Sequence, residues 1–193
     1  MQLYIEHQES YSRSSLLVRS IFGLFFIVFP HTVALAIAGL WGAVLRFISF
    51  WVILFTGRYP ESMFEYQVGL MNWSLRLNAT LLNLVDGYPP FGVSSRPDNV
   101  QLVVEYPESI DRGLVLLRVF LGAFYVVLPH GIVLYFRTLL GLVIAFLAFL
   151  AVLFSGHYPK GFHNFMVGTL RWQTRISLYM SFMTDEYPPF SSK

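Results

Sequence analysis

Long, uninterrupted stretches of apolar residues dominate the chain. Residues 16–55 and 114–154 are almost wholly apolar, and each stretch contains only two charged side chains. Those side chains are Arg19, Arg46, Arg118 and Arg137. A helix needs roughly 20 apolar residues to cross the hydrocarbon of a membrane, so each stretch is long enough for two crossings. The pattern therefore predicts a membrane protein rather than a soluble one.

The second apolar stretch repeats the first. Shifting the sequence by 99 positions aligns it with itself without a gap. The matched elements are Pro30-His31 with Pro129-His130, Tyr59-Pro60 with Tyr158-Pro159, Trp73 with Trp172, and Tyr88-Pro89-Pro90-Phe91 with Tyr187-Pro188-Pro189-Phe190. Since about a third of the aligned positions are identical, the chain contains two copies of one unit. The predicted units are residues 1–94 and 95–193.

Each unit is predicted to contain the same elements. Alternating residues at 3–6 and 102–105 indicate short strands, which we expect to pair with each other in antiparallel fashion. A first helix follows, and Pro30 or Pro129 then removes a backbone donor and predicts a turn or a kink. A longer helix ends at Gly57 or Gly156, where a left-handed conformation is accessible. Tyr-Pro then begins a third helix.

These elements predict an all-α membrane protein with four transmembrane helices, arranged as two tandem parallel hairpin repeats. The third helix of each unit has a polar stripe, which favours an amphipathic helix lying flat in the membrane interface. A third crossing is the alternative. With two crossings per unit, most Lys and Arg residues fall on one side, so the positive-inside rule predicts a multi-pass protein with both termini in the cytoplasm.

Composition excludes several functional classes. Apolar residues make up 55% of the chain and charged residues 12%, about half the usual share. The net charge is only +2, and no nucleic-acid-binding motif is present, so nucleic acid is not an expected partner. There is no cysteine, which removes thiolate chemistry. Because no enzyme signature is found either, we expect a non-catalytic protein without a cofactor.

The repeated motifs resemble a known family. The pattern of Pro-His, Phe-Thr/Ser-Gly-x-Tyr-Pro, Trp-x2-Arg and Asp-x-Tyr-Pro-Pro-Phe is similar to that of bacterial membrane proteins known only as a domain of unknown function. The likeness covers nearly the whole chain in both copies. It implies a location in the bacterial inner membrane, and it implies no activity.

His31 and His130 are the candidate metal or haem ligands. They occupy matched positions, so a pseudo-two-fold axis could bring two imidazoles together. No repeated His, Asp or Glu lies nearby to complete a site. The alternative is a polar residue after proline that satisfies free amides at the start of a helix.

A set of repeated arginines is the candidate lipid-binding site. Guanidinium groups can grip phosphate, and so these residues could bind phospholipid headgroups at the cytoplasmic face. The alternative is ordinary anchoring at the membrane interface. The candidates are Arg13, Arg19, Arg76, Arg112, Arg118 and Arg175.

A ridge of small residues in the first copy is the candidate partner contact. Ala34, Ala38, Gly42 and Arg46 recur every four residues, whereas the second copy has lost this pattern. Small residues let helices approach closely in lipid. A helix of the second copy could cover the ridge, but we expect a different membrane protein there.

Two functional hypotheses follow. The first is a non-catalytic integral membrane subunit or scaffold of a larger inner-membrane complex, since little of the chain lies outside the apolar segments. The second is a phospholipid-binding or lipid-transport component that uses the arginines.

Overall fold

The computed structural model describes the whole chain, residues 1–193, as a mostly helical protein with two tandem repeats. It contains four helices and two short strands. In chain order they are β1 (Gln2–Ile5), α1 (Arg13–Thr56), α2 (Glu61–Leu81), β2 (Val100–Val103), α3 (Arg112–Ser155) and α4 (Lys160–Met180).

The long helices α1 and α3 correct the predicted hairpins. Each is a single unbroken helix of 44 residues, and no turn interrupts α1 at Pro30 or α3 at Pro129. Each repeat therefore has one long apolar helix where two were predicted. Both helices are long and apolar enough to cross a membrane, by length and composition.

A local change of helix type explains why proline does not end α1. Pro30 cannot donate to the Phe26 carbonyl four residues earlier, and its ring would crowd that carbonyl in an α-helix. The preceding segment, Leu24–Val28, is π-helical, which relaxes this crowding. The Tyr88 hydroxyl donates to the freed Phe26 carbonyl at 3.0 Å. The second repeat uses Ala123–Val127, Pro129, Tyr125 and Tyr187 in the same way.

The ends of the long helices follow the sequence-based prediction. Gly57 and Gly156 close α1 and α3 with φ values of 74° and 76°, in the left-handed region that suits glycine. Pro60 and Pro159 then precede the return helices α2 and α4 directly. Each return helix runs back along its own long helix and is largely buried.

The predicted pairing of the two strands is confirmed. β1 and β2 form an antiparallel two-stranded ribbon in which Leu3 lies opposite Leu102. These two residues occupy equivalent positions in the repeats. A pseudo-two-fold axis therefore passes through this pair and relates the two repeats.

The two long helices run antiparallel, whereas the prediction had parallel hairpins. The Tyr11 amide donates to the Gly156 carbonyl and the Ile110 amide to the Gly57 carbonyl, each at 2.8 Å. The start of each long helix thus lies beside the end of the other. The pseudo-two-fold axis is accordingly perpendicular to α1 and α3.

The elements form three layers. The Gln67 amide of α2 donates to the Gly42 carbonyl of α1 at 2.6 Å, and the Asn72 amide donates to the Leu102 carbonyl of β2 at 3.1 Å. Five positions along a helix correspond to a rotation of about 140°, so these contacts lie on nearly opposite sides of α2. The return helices therefore separate the long helices from the ribbon.

The long helices carry polar side chains on their inner side and bulky apolar ones on their outer side. Arg19, His31 and Ser49 are buried along the inner side of α1. On its outer side Leu40 is 72% exposed and Phe55 is 73% exposed. Only 17% of the most apolar window of either long helix is buried.

Candidate functional site

One buried arginine in each long helix pairs with an aspartate beyond the return helix. The Arg19 guanidinium lies 3.4 Å from the Asp86 carboxylate, and the Arg118 guanidinium lies 2.6 Å from the Asp185 carboxylate. Asp86 also accepts the Ser12 amide at 2.6 Å, just before α1 begins. These arginines therefore connect the start of a long helix to the end of the return helix.

The two arginine sites differ in their other partners. Arg19 Nε donates to the Asn83 side-chain oxygen at 2.9 Å. Phe182 stands at the equivalent position and has no acceptor, so Arg118 Nε is buried without a hydrogen-bond partner. The Arg118 guanidinium instead lies over the Tyr179 ring, 3.9 Å from its centroid.

His31 and His130 lie in separate aromatic clusters, one in each repeat. The Trp73 indole donates to His31 Nδ1 at 2.9 Å, and the Trp172 indole donates to His130 Nδ1 at 2.9 Å. His31 also stacks on Phe91 with ring centroids 3.8 Å apart. Because an indole N–H can only donate, Nδ1 of each imidazole must be unprotonated. The structure thus joins the Pro-His, Trp-x2-Arg and Tyr-Pro-Pro-Phe motifs into one cluster.

Arg76 and Arg175 hold the segments that follow the Tyr-Pro-Pro-Phe motifs. Arg76 donates to the carbonyls of Gly92 and Ser95, and Arg175 donates to those of Ser191 and Lys193. Desolvation by burial lowers the pKa of both guanidinium groups below its usual value. Each guanidinium thus binds main-chain oxygens of the segment that directly follows its return helix along the chain.

Arg13 and Arg112 lie at the two corners where one repeat meets the other. The exposed Arg13 guanidinium donates to the Phe154 carbonyl at 3.0 Å, beside Gly156. Arg112 lies in the same way beside Gly57. Of the six candidate arginines, only these two are exposed, because Arg19, Arg76 and Arg118 are buried and Arg175 is half-buried.

The small-residue ridge of α1 faces the return helix of its own repeat. A Cβ atom added at Gly42 would lie 2.9 Å from the Leu70 side chain. The Ala38 carbonyl accepts the Tyr66 hydroxyl at 2.9 Å. Ala34 is half-buried on the same side.

The charge at the end of that ridge reaches the other repeat. Arg46 donates to the Ser181 hydroxyl at 3.5 Å, just beyond α4. The equivalent positions hold Ala145 and Leu82, which are apolar. The ridge is therefore occupied within the chain, by α2 and by the end of the second repeat.

Arg137 of the second repeat has partners that the sequence did not suggest. It stands where the first repeat has Ala38, and Phe165 stands where the first repeat has Tyr66. Its guanidinium lies 4.1 Å from the Phe165 ring centroid and donates to the Thr169 hydroxyl at 2.8 Å. The guanidinium thus supplies the polar contact that the missing tyrosine hydroxyl makes in the first repeat.

A histidine pair at one corner was missed from the sequence. The rings of His7 and His163 meet edge to face, 4.9 Å apart. His7 Nε2 donates to the Tyr158 carbonyl at 2.8 Å, and His163 Nε2 donates to the Glu6 carbonyl at 3.2 Å. Burial first, and then the nearby His7, lower the pKa of His163.

The equivalent corner contains no histidine. Tyr106 and Phe64 occupy the matched positions, and their rings meet 5.2 Å apart. The Tyr106 hydroxyl donates to the Tyr59 carbonyl. Because the residues of this pair differ between the repeats, identity between the repeats gives no signal for it.

The polar groups of the chain therefore act mainly on one another. No three His, Asp or Glu side chains converge in the way that a metal ion needs. Arginines, histidines and aspartates bind main-chain carbonyls, indoles and each other within a largely apolar frame. This arrangement supports structure, and it leaves the exposed surfaces as the regions available for binding.

Comparison with known proteins gives one match. The sequence profile of the family described as a domain of unknown function, DUF4389, matches residues 13–92 and 116–192. The two matched segments correspond to the two repeats and confirm the resemblance recognised from the motifs. No curated protein and no solved structure matches the chain.

Proposed function

Since the chain belongs to the DUF4389 family, whose description names no activity, we propose its function from the chemistry of its surfaces. It is a non-catalytic integral membrane protein of the bacterial inner membrane that serves as a subunit or scaffold of a larger complex. The observation that carries this proposal is the exposed apolar side of α1 and α3. Bulky apolar side chains in this arrangement need lipid or a partner to cover them.

The proposed orientation places the long helices in the plane of the membrane. A helix of 44 residues is about 66 Å long, roughly twice the thickness of the hydrocarbon. An upright helix would therefore leave much of its exposed apolar surface in water. A helix in the interface plane buries its apolar side along its whole length.

The segment between the repeats also favours this orientation. It runs back along α2 in largely irregular conformation, and Val93 packs on Gly69 on its way to the ribbon. Arg96 and Asp98 of this segment are exposed. Irregular, charged backbone is not tolerated in the hydrocarbon, so this layer belongs in water and the long helices in lipid.

This orientation replaces the predicted multi-pass arrangement but keeps both termini on one side. β1 lies in the ribbon layer, and Arg171 donates to the carbonyls of both Leu3 and Ser192. The water-facing layer thus contains both ends of the chain. We assign that layer to the cytoplasm, as the positive-inside rule suggests for the termini.

Cysteine labelling tests the orientation, because the natural chain contains no cysteine. Single cysteines at Asp98, Thr32 and Leu40 are placed in the full chain and reconstituted into sealed vesicles. An impermeant thiol reagent should label Asp98→Cys and spare Leu40→Cys. Labelling of Thr32→Cys and Asp98→Cys from opposite sides of the membrane would refute the in-plane arrangement.

The scaffold role is tested separately by gentle solubilisation and mass measurement. A stoichiometric second membrane protein supports the scaffold. A chain that carries only phospholipid supports the second candidate, lipid binding, which the open groove described below specifically favours. A chain that carries neither would contradict both.

A further inference from the structure

A groove along the start of α1 is open in the first repeat. Its volume is about 380 Å³, and Val18, Phe22 and Phe26 form its long wall opposite Tyr88. Ser14 and Ser15 lie at one end. Arg19 also lines it, but the groove is otherwise apolar along its length and polar at one end.

A methionine fills the equivalent space in the second repeat. A Cβ atom added at Gly122 would lie only 2.7 Å from the Met180 methyl group. At the matched Gly23, the nearest atom would be the Arg19 Cγ at 3.5 Å. Leu81 stands at the position of Met180, and its side chain is 39% exposed.

Two tyrosines complete the closure in the second repeat. The Tyr125 and Tyr179 hydroxyls lie 3.0 Å apart, and the Tyr125 ring stacks on Tyr187. The first repeat has Phe26 and Thr80 at the positions of Tyr125 and Tyr179. With the ring of Tyr179 replaced by the short Thr80, the space beside Arg19 stays open.

We propose that this groove binds one acyl chain of a membrane glycerophospholipid, with the polar head at the Ser14 and Ser15 end. The proposal rests on the membrane placement proposed above. The groove opens onto the apolar side of α1, where Phe26 is 68% exposed. From Ser14 to Ile27 the helix rises about 20 Å, which matches the length of an extended acyl chain of about 15 Å that lies along α1 in the membrane plane.

The polar end suits the head of such a lipid. The Ser14 and Ser15 hydroxyls can donate to ester or phosphate oxygens. The apolar wall then contacts the methylene groups of the acyl chain. Moving these groups from the surrounding lipid into the groove costs little free energy.

Photocrosslinking tests the groove in the full chain. The protein is reconstituted in vesicles of phosphatidylethanolamine and phosphatidylglycerol that contain a phosphatidylglycerol with a diazirine in one acyl chain. Crosslinked residues are mapped by mass spectrometry of peptides. We expect labelling at residues 18–27 and Tyr88 to exceed labelling at the matched residues 117–126 and Tyr187 by about tenfold, which corresponds to a preference of about 1.4 kcal/mol for the open groove.

Glycine substitutions provide a matched pair of variants. Gly23→Leu places a side chain in the groove and should abolish the excess labelling. Gly39→Leu adds the same side chain to the same helix at a position with no atom within 4 Å, and should leave the labelling unchanged. Met180→Leu should raise labelling of the second repeat. Thermal unfolding checks that each variant is folded.

The outcomes separate the groove from the membrane placement. Vesicle flotation is measured on the same samples, and the diazirine lipid is also offered in detergent micelles. Equal labelling of both repeats in floating vesicles overturns the groove and leaves the membrane placement standing. Groove labelling in micelles without flotation overturns the placement alone. Labelling by a diazirine fatty acid but not by the phospholipid would overturn the proposed lipid class.

Discussion

The histidine–tryptophan cluster inside each repeat is preserved, whereas one corner where the repeats meet has diverged from the other. The Trp73 indole donates to His31 and the Trp172 indole donates to His130, each over 2.9 Å. Between the repeats, His163 of one corner corresponds to Phe64 of the other. A buried polar group without its partner is costly, so the internal clusters resist change. Each corner occurs once and can be repacked alone.

Loss of an aspartate should give the largest difference between the repeats. Asp185→Ala leaves the fully buried Arg118 without its ion pair, which should lower the free energy of unfolding by about 3 kcal/mol after allowance for the partly exposed carboxylate. Asp86→Ala should cost about 1 kcal/mol, because Arg19 keeps Asn83 and the Val85 carbonyl, whereas Arg118 keeps only the Tyr179 carbonyl and ring. Thermal unfolding in detergent micelles measures both. Equal losses would contradict this ranking.

Removal of an indole donor should have a similar effect in both repeats. Trp73→Phe and Trp172→Phe each leave a buried imidazole acceptor unpaired, which should cost about 2 kcal/mol. Replacing both partners with apolar residues, as in the Trp73→Phe and His31→Phe double variant, should recover part of the loss. A double variant that loses the sum of both single effects would show that the hydrogen bond contributes nothing.

Acidification should weaken the histidine corner and spare the tyrosine corner. The pKa of His163 is lowered by burial, so the unfolded chain takes up its proton more readily than the folded chain. Stability is then complete above about pH 6.5, falls as the pH drops from there to the lowered value, and levels off below it. Melting temperatures between pH 7.5 and pH 5 should show this fall.

The opposite corner provides the control for this pH dependence. The double variant His7→Tyr and His163→Phe copies Tyr106 and Phe64 into the histidine corner. Its melting temperature should vary less with pH than that of the natural chain. An unchanged pH dependence in the variant would assign the effect to other groups.

The smallest effect is expected at the polar contact between α1 and the end of α4. Arg46 is exposed and its hydrogen bond to Ser181 is long, at 3.5 Å. Ser181→Ala should therefore change the free energy of unfolding by less than about 0.5 kcal/mol. Chemical denaturation in micelles measures this change. A larger loss would contradict the prediction and indicate that this contact holds the repeats together.

Periodicity and local chemistry predicted the elements better than their arrangement. The duplication followed from the alignment of the chain with itself, and the strands from alternating residues. The glycine ends of the long helices and the Tyr-Pro starts followed from backbone preferences of single residues. Pro30 does not interrupt α1. Tyr88, which is distant in sequence, donates to the Phe26 carbonyl that Pro30 leaves without a donor. The antiparallel arrangement of α1 and α3 likewise depends on the path of the segment between the repeats.

The candidate site shows the same limit. Repetition correctly selected Arg19, Arg76 and His31 as unusual residues, but it could not show that all three contact the segment that follows α2. An exposed arginine and a buried one look alike in sequence. The groove and the histidine corner lie at positions where the residues differ between the repeats. Such a difference can be interpreted only when the spatial neighbours of these residues are known.

Depth measurement along α1 tests the in-plane placement most directly. Spin labels at Ile21, Leu40 and Phe55 lie on its exposed side, and a label at Asp98 marks the water-facing layer. In vesicles, collision rates with oxygen and with a water-soluble nickel complex report the depth of each label. We predict that the three helix labels lie at similar depth in the hydrocarbon and that Asp98 lies in water. A deep Leu40 between shallow Ile21 and Phe55 labels would contradict the in-plane placement.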